Sequence, residues 1–297
     1  MDTASPRRFV DLHAHSTASD GSDAPAELVR KADARGLAAV ALTDHDTTAG
    51  LAEARAAAKS LPDLRFVAGV EVSAVYEPGT MHVLGLGIDE SAGPLQRMTA
   101  RFRAARRERN PRILARLRAL GVPVSMEDVC RQAGRAAGEG GGIISRLHIA
   151  QAIVAAGRAA DRKDAFARYV GAGAPAYVAK ERLAAGEIIA AIHAASGAAV
   201  LAHPVQLQCP DLDAMDALVR RLMDAGLDGI EAYHSDHSDE QTRQYIELAR
   251  RHGLLITGGS DYHGPGKPHV ALGRPAVPAA ILDEPWASRW LADERLS

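Results

Sequence analysis

One unit recurs along the 297 residues and decides most of what the chain can become. A stretch of helical character runs to a glycine, a short apolar segment follows, and that segment ends on His or Asp. Pro25–Gly36 leads into Leu37–Leu42 and then Thr43-Asp44-His45-Asp46. Gly186–Gly197 leads into Ala198–Ala202 and His203-Pro204. Leu212–Gly226 leads into Leu227–Tyr233 and His234, and Asp239–Gly253 into Leu254–Gly259 and Ser260-Asp261-Tyr262-His263. Each glycine stands where a helix C′ residue takes positive φ. Helix starts are read at Ser22 or Asp23 before Pro25, and at Ser238 with Gln241 three residues on. Further strands are expected at Phe9–Leu12, Arg65–Val72 and His82–Ile88. Strands alternating with helices of about 10–15 residues predict βαβ units, a parallel sheet and an α/β fold. Polar residues at the carboxyl ends of several strands fit a barrel with its active site on that face. The spacing alone leaves an open doubly wound sheet as the other solution.

The middle of the chain breaks the rhythm. From about Pro94 to Val170 the pattern is helical with little strand character: an Arg-rich run from Met98 to Gly121, then shorter helices around Ser125–Arg135 and Arg146–Gly157. Gly138–Gly142 reads as a flexible loop. This is a helical insertion, placed at residues 94–175 between barrel halves at 1–93 and 176–297. The Arg101–Arg109 run is read first as a solvated helix face, with phosphate attraction as the sharper alternative.

The strand-end residues draw attention to composition. The chain has 12 His, 2 Cys and a formal net charge of −2. The charge excludes a strongly basic protein built to coat long nucleic acid. Cys130 and Cys209 form no C-x-x-C pair, which argues against a disulfide framework or a Cys-based zinc module. No apolar run reaches the length of a transmembrane helix, and the N-terminal residues lack a signal-peptide core, so the expectation is a cytoplasmic protein without a membrane or an obligate protein partner.

Histidine carries the chemistry. His13 and His15 are two apart at a strand end, so their side chains share a face. Asp261 and His263 repeat that spacing with a hard oxygen ligand. Asp20, Asp44 and His45 add more, Glu71 lies in the strand Arg65–Val72, His82 opens the next strand, and His203 ends another. One H-x-H pair is as readily structural as metal-binding. Six histidines and three carboxylates at separate strand ends are not explained by burial, because buried charges need cations to neutralise them. Mixed imidazole and carboxylate sets suit Mn²⁺, Zn²⁺ or Fe²⁺.

These residues resemble the PHP (polymerase and histidinol phosphatase) family of the amidohydrolase-like group. The resemblance covers residues 9–92 and about 176–275. It rests on D-L-H-A-H-S (11–16), T-D-H-D (43–46), G-V-E-V-S (69–73), H-V-L-G (82–85), A-H-P (202–204) and G-S-D-Y-H-G (259–264). It implies a distorted (β/α)7 TIM-like barrel with a trinuclear metal centre, manganese foremost. His13, His15, Glu71 and Asp261 would bind a first ion. Glu71 would bridge to a second, held also by His82 and His203. Asp20, His45 and His263 would hold a third. In the insertion, Gly142 to Ala150 resembles the G-R-P-H-I-A segment of one PHP subfamily, with Leu147 standing where many relatives have Pro. Arg146 and His148 are thereby candidates for gripping a phosphate, with Ser145 as the helix cap.

Such a cluster suits phosphoester hydrolysis by a metal-bridging hydroxide, with no serine or cysteine nucleophile signalled. His234, as proton donor or phosphate contact, and Asp20 are the candidates for direct part in the chemistry. Lys180 is a weaker phosphate candidate. His193, His237, His252 and His269 are read as structural. The resembled subfamily implies removal of the 3′-phosphate from nucleoside 3′,5′-bisphosphates, with short 5′-phosphorylated RNA as a further substrate. Histidinol-phosphate phosphatase and a non-catalytic, metal-stabilised interaction module are the alternatives.

Overall fold

The computed structural model describes residues 7–134 and 142–283; residues 138–141 of the expected glycine-rich loop lie outside them. Seven strands build a ring: β1 Phe9–Asp11, β2 Ala39–Leu42, β3 Arg65–Ala74, β4 Met81–Leu86, β5 Ala198–Leu201, β6 Gly229–His234 and β7 Leu255–Gly259. A two-residue strand, β8 Val277–Pro278, pairs with β1 at the edge. The sheet order is β7-β6-β5-β4-β3-β2-β1-β8. Beyond β1 and β7 the chain ends draw together: Leu12 N–H donates to Gly258 O (3.0 Å), Asp261 N–H to His13 O (2.9 Å) and His15 N–H to Tyr262 O (2.8 Å). These bonds close the barrel at the rim where the histidines stand. Gly259 permits the closure, since a Cβ there would lie 2.4 Å from the His13 backbone nitrogen.

Away from the residues of the histidine rim the strands are mostly apolar because both faces are buried. In β2, Ala39 and Ala41 point into the barrel with Val10, Leu12, Val67 and Val200. Val40 and Leu42 point outward under the helices, beside Leu28, Leu51 and Phe66. The covering helices are α1 Pro25–Ala34, α2 Leu51–Ala58, α7 Ala185–Ala194, α8 Leu212–Asp224 and α9 Asp239–His252; all but α7 join a strand to its parallel neighbour.

Three expectations need correction. The sheet is not wholly parallel: β4 runs antiparallel to both β3 and β5. The connection from Ala74 to Met81 is too short for a crossover, so β3 and β4 pair as a hairpin. Neither Ser22 nor Asp23 caps α1. Its N-cap is Ala24 with no side-chain bond, because the Ser22 hydroxyl donates to His263 O and Asp23 is held by Lys31 and Tyr262. The C′ glycines take positive φ at Gly36, Gly226 and Gly253, but after α7 Ser196 does so at φ 59°. Gly197 is there for space, since a Cβ would come within 2.6 Å of Ile88. At α9 the capping box of Ser238 and Gln241 forms as read.

Between β4 and β5 come α3 Gly93–Ala119, α4 Met126–Gln132, α5 Arg146–Ala155 and α6 Arg162–Ala165, which continues into a π-helical turn at Phe166–Val170. The first half of α3 lies on the barrel core through Leu95, Met98 and Phe102. Its second half joins Val129, Ile149, Ile153 and Val170 in a separate apolar cluster. The solvated reading fails for Arg106 and Arg109, which are buried. Arg106 donates to Asp46, and so does Lys180, which also donates to Ser73. Asp46 draws the arginine inward, since an unpaired buried carboxylate would be costly. Arg101 keeps to the surface, paired with Glu181.

Candidate metal centre

All nine proposed ligands meet at the closed rim of the barrel. His13 and His15 leave β1 on the same side, and their Nε2 atoms are 3.1 Å apart. Either one ring donates its Nε2–H to the other, or both lone pairs face a shared cation. Glu71, in β3, is the hub. Its Oε1 lies 2.6 Å from His82 Nδ1 and 2.8 Å from His203 Nε2. Its Oε2 lies 2.8 Å from His45 Nδ1, 3.3 Å from His15 Nε2 and 3.4 Å from His13 Nε2. Asp261 Oδ1 sits 3.2 Å from His15 Nε2 and 3.6 Å from His13 Nε2. Asp20 Oδ1 is 3.4 Å from His263 Nε2.

These contacts form overlapping groups: His13, His15, Glu71 and Asp261; His45, Glu71 and His82; and His15, Asp20, His45 and His263, with the donor atoms of each group within 4.8 Å of one another. Several of the buried atoms make no hydrogen bond: His15 Nδ1, Asp20 Oδ1, His45 Nδ1, Glu71 Oε2 and His203 Nδ1. Buried polar groups left in this way, with converging lone pairs, are what divalent cations satisfy. The residues present therefore fit divalent metal ions. Asp44 does not join them. It accepts from Ser16 and Ser19 and shapes the loop that carries Asp20.

Electrostatics agree. Burial alone would raise the Glu71 carboxyl, but His45, His82 and His13 hold it well below the usual carboxylate range. Asp261 is likewise depressed, by His263, His15 and His13 against its burial. Burial pushes His82 down to about 4. His263 is moved the other way, up to about 9: burial opposes the charge, but Asp261 and Asp20 outweigh it.

Glu231 escaped the sequence reading. It lies fully buried in β6, 2.9 Å from His13 Nδ1, and accepts from His203 N–H at 2.7 Å. An Nδ1–H donated to this carboxylate leaves the His13 Nε2 lone pair facing the cluster. A bulge between Glu231 and Tyr233 shifts the register of β6, so His234 also turns inward. A lone acidic residue inside an apolar strand was the available signal. His234 is buried, with its Nε2 3.8 Å from Asp261 Oδ2 and its Nδ1 accepting from Asp236 N–H.

Above the cluster is a cavity of about 460 Å³, between the barrel rim and the insertion. Asp20, His45, Glu71, His82, His203, Asp261 and His263 line it, as do His148, Gln151, Arg162 and Lys267. Ser145 caps α5, and its own N–H donates to His148 Nδ1. Arg146 is not among the lining residues. Its guanidinium lies over Tyr177 at 5.0 Å and bonds Val170 O at 3.1 Å. Lys180 is tied to Asp46 and Ser73. His193 and His252 pair with Asp228 and Asp216, away from the cluster; His237 donates to Ala232 O with its ring 5.3 Å from that of His234; His269 is exposed in the loop after β7. Both cysteines are free.

A closed barrel that gathers imidazoles and carboxylates at one rim, under a helical roof, defines a metal-dependent phosphoester hydrolase. The model of the PHP domain matches residues 11–118. The chain is 36% identical over 260 residues to a 3′,5′-nucleoside bisphosphate phosphatase of Chromobacterium violaceum, covering 87% of this chain and 88% of that one. It is 35% identical to the 5′-3′ exoribonuclease Rnm of Salmonella typhimurium, covering 92% and 91%. A Bifidobacterium adolescentis structure assigned as a metal-dependent phosphoesterase superposes with a TM-score of 0.82 at 38% identity, covering 95% and 96%. The chain belongs to the PHP family, and its barrel is the TIM-like barrel expected from the sequence. Among the described residues, no helix is long and apolar enough to cross a membrane.

Proposed function

We propose that the enzyme removes the 3′-phosphate from nucleoside 3′,5′-bisphosphates, and that short 5′-phosphorylated RNA is a further substrate of the same site. The convergence of nine imidazole and carboxylate side chains, seven of them on the floor of one roofed cavity, carries this reading. The similarity to a nucleoside bisphosphate phosphatase over most of both chains supports the substrate. Three divalent ions, manganese foremost and zinc or iron as alternatives, would be held in the groups named above, with His203 joining Glu71 and His82. When bound, such ions generate a nucleophile from water near neutral pH and neutralise phosphoryl charge.

The chain's own groups do the rest. Glu231 fixes the orientation and tautomer of His13. His234 accepts the Asp236 N–H on Nδ1, so the neutral ring carries its proton on Nε2, which has no hydrogen-bond partner. Burial pushes this imidazole down to about 4, so it is neutral at physiological pH. It therefore offers an N–H donor rather than an imidazolium acid, and since it does not line the cavity, that donor is directed at the Asp261 side of the cluster, 3.8 Å from Oδ2. His148, held by the Ser145 N–H, presents its ring to the cavity as a substrate contact. Arg146 braces the insertion on Tyr177 and Phe166. Residues 94–175 act as a cap over the barrel.

The test is a substrate panel with Mn²⁺-loaded protein: adenosine 3′,5′-bisphosphate, histidinol phosphate, 5′-AMP and a 5′-phosphorylated RNA trimer. Phosphate release from the bisphosphate and none from 5′-AMP is expected. Release from histidinol phosphate alone would overturn the assignment. Mononucleotides from the trimer without turnover of the bisphosphate would make the enzyme an exoribonuclease first.

A further inference from the structure

We propose that Arg162 and Lys267 form a paired cationic grip for the substrate phosphate that is not cleaved. The inference rests on the bisphosphate reading and adds the residues that would enforce it. A bisphosphate brings two anionic groups into one cavity. Ions on the ligand cluster would neutralise the phosphate under attack. The second group lies away from those ions and needs donors of its own to be held and told apart from an uncharged substituent. Arg146 is turned away, its guanidinium occupied by Tyr177 and Val170 O. Among the described residues lining the cavity, Arg162 and Lys267 are the only lysine or arginine side chains.

They approach from different bodies of the fold. Arg162 begins α6 of the insertion, and its guanidinium donates to Gly266 O on the barrel loop after β7. That bond holds the arginine against the backbone next to Lys267, and both side chains line the cavity. The Lys267 ammonium lies 2.8 Å from Asp261 Oδ2, while Oδ1 of the same carboxylate faces His13 and His15. Lysine has three donors and arginine five, so after these two bonds both retain N–H groups for an anion. The insertion thus supplies one half of the grip and the barrel the other, at the edge of the ligand cluster.

The experiment compares kcat/KM for a nucleoside 3′,5′-bisphosphate and the matching 3′-monophosphate in wild type, Arg162→Gln and Lys267→Gln. It also measures binding of 5′-AMP to the chelator-treated protein by calorimetry. The preference for bisphosphate over monophosphate is expected to fall about tenfold to a hundredfold in each variant, as for loss of a hydrogen bond to a charged group. The Kd for 5′-AMP is expected to rise by a similar factor. Arg162→Lys, which keeps the charge, is expected to restore part of the preference. A purely structural role would lower both substrates together and leave the ratio unmoved; an unmoved ratio in both glutamine variants overturns the grip. If wild type hydrolyses neither substrate, the bisphosphate reading falls, and 5′-AMP binding by the variants still decides the grip.

Discussion

His13 shows what one side chain needs in order to serve a metal. Its Nε2 faces the cluster because Nδ1 is engaged by Glu231, 218 residues further on. Glu231→Gln keeps the shape and weakens that acceptor. Metal affinity, measured by competition with a chromogenic chelator, is expected to fall about 10- to 100-fold, with the fold retained by circular dichroism. Unchanged affinity would reduce Glu231 to a packing role. The ligands were legible in the sequence because most sit just beyond a strand in a short local pattern, such as His13 with His15 or Asp261 with His263. Glu231, Arg162 and Lys267 were not, because their roles come from partners supplied by distant segments. Arg146 was legible as a motif residue, yet the direction of its side chain depends on Tyr177 and Phe166, which no local pattern fixes.

Among elements, α3 is the one whose role the sequence disguised. Its arginines read as a solvated face, but Arg106 reaches Asp46, which follows His45 directly. Asp46 is fully buried at φ 55°. Its burial would raise the carboxyl, and Lys180 and Arg106 instead hold it below the usual carboxylate range. Asp46→Asn leaves two buried cations without their counter-charge. Unfolding free energy from urea melts is expected to drop by about 3–5 kcal/mol; a change below 1 kcal/mol, roughly the worth of an exposed pair, would show that water already screens the cluster. The helix–strand alternation was legible because glycine and apolar runs mark it locally. The antiparallel β4 was not marked, since strand direction follows from the length of a connection and not from the residues inside the strand.

For the molecule as a whole, metal content and pH are linked. In the metal-free chain His263 is raised to about 9, with Asp261 and Asp20 outweighing its burial. A raised histidine contributes stability that is fully present below its unfolded pKa of about 6.5 and is lost as pH rises through about 9. His82 and His234, pushed down to about 4 by burial, lose stability in the opposite direction, as pH falls below about 6.5. Metal binding requires the neutral imidazole. The gap in Tm between metal-loaded and chelator-treated protein is therefore expected to widen from about pH 6.5 to about pH 9. Scanning calorimetry across that window checks it; a gap that narrows would mean that His263 does not release a proton on metal uptake.

The bonds that close the barrel join the segment after β1 to the segment after β7, and the histidines stand on both sides of that seam. During synthesis His13 and His15 are made well before Asp261 and His263. A growing chain can therefore present an H-x-H pair to passing cations but cannot complete a pocket for them. Selection of the correct ion waits for the segment after β7, whose Asp261 and His263 complete the geometry that His13 and His15 must satisfy.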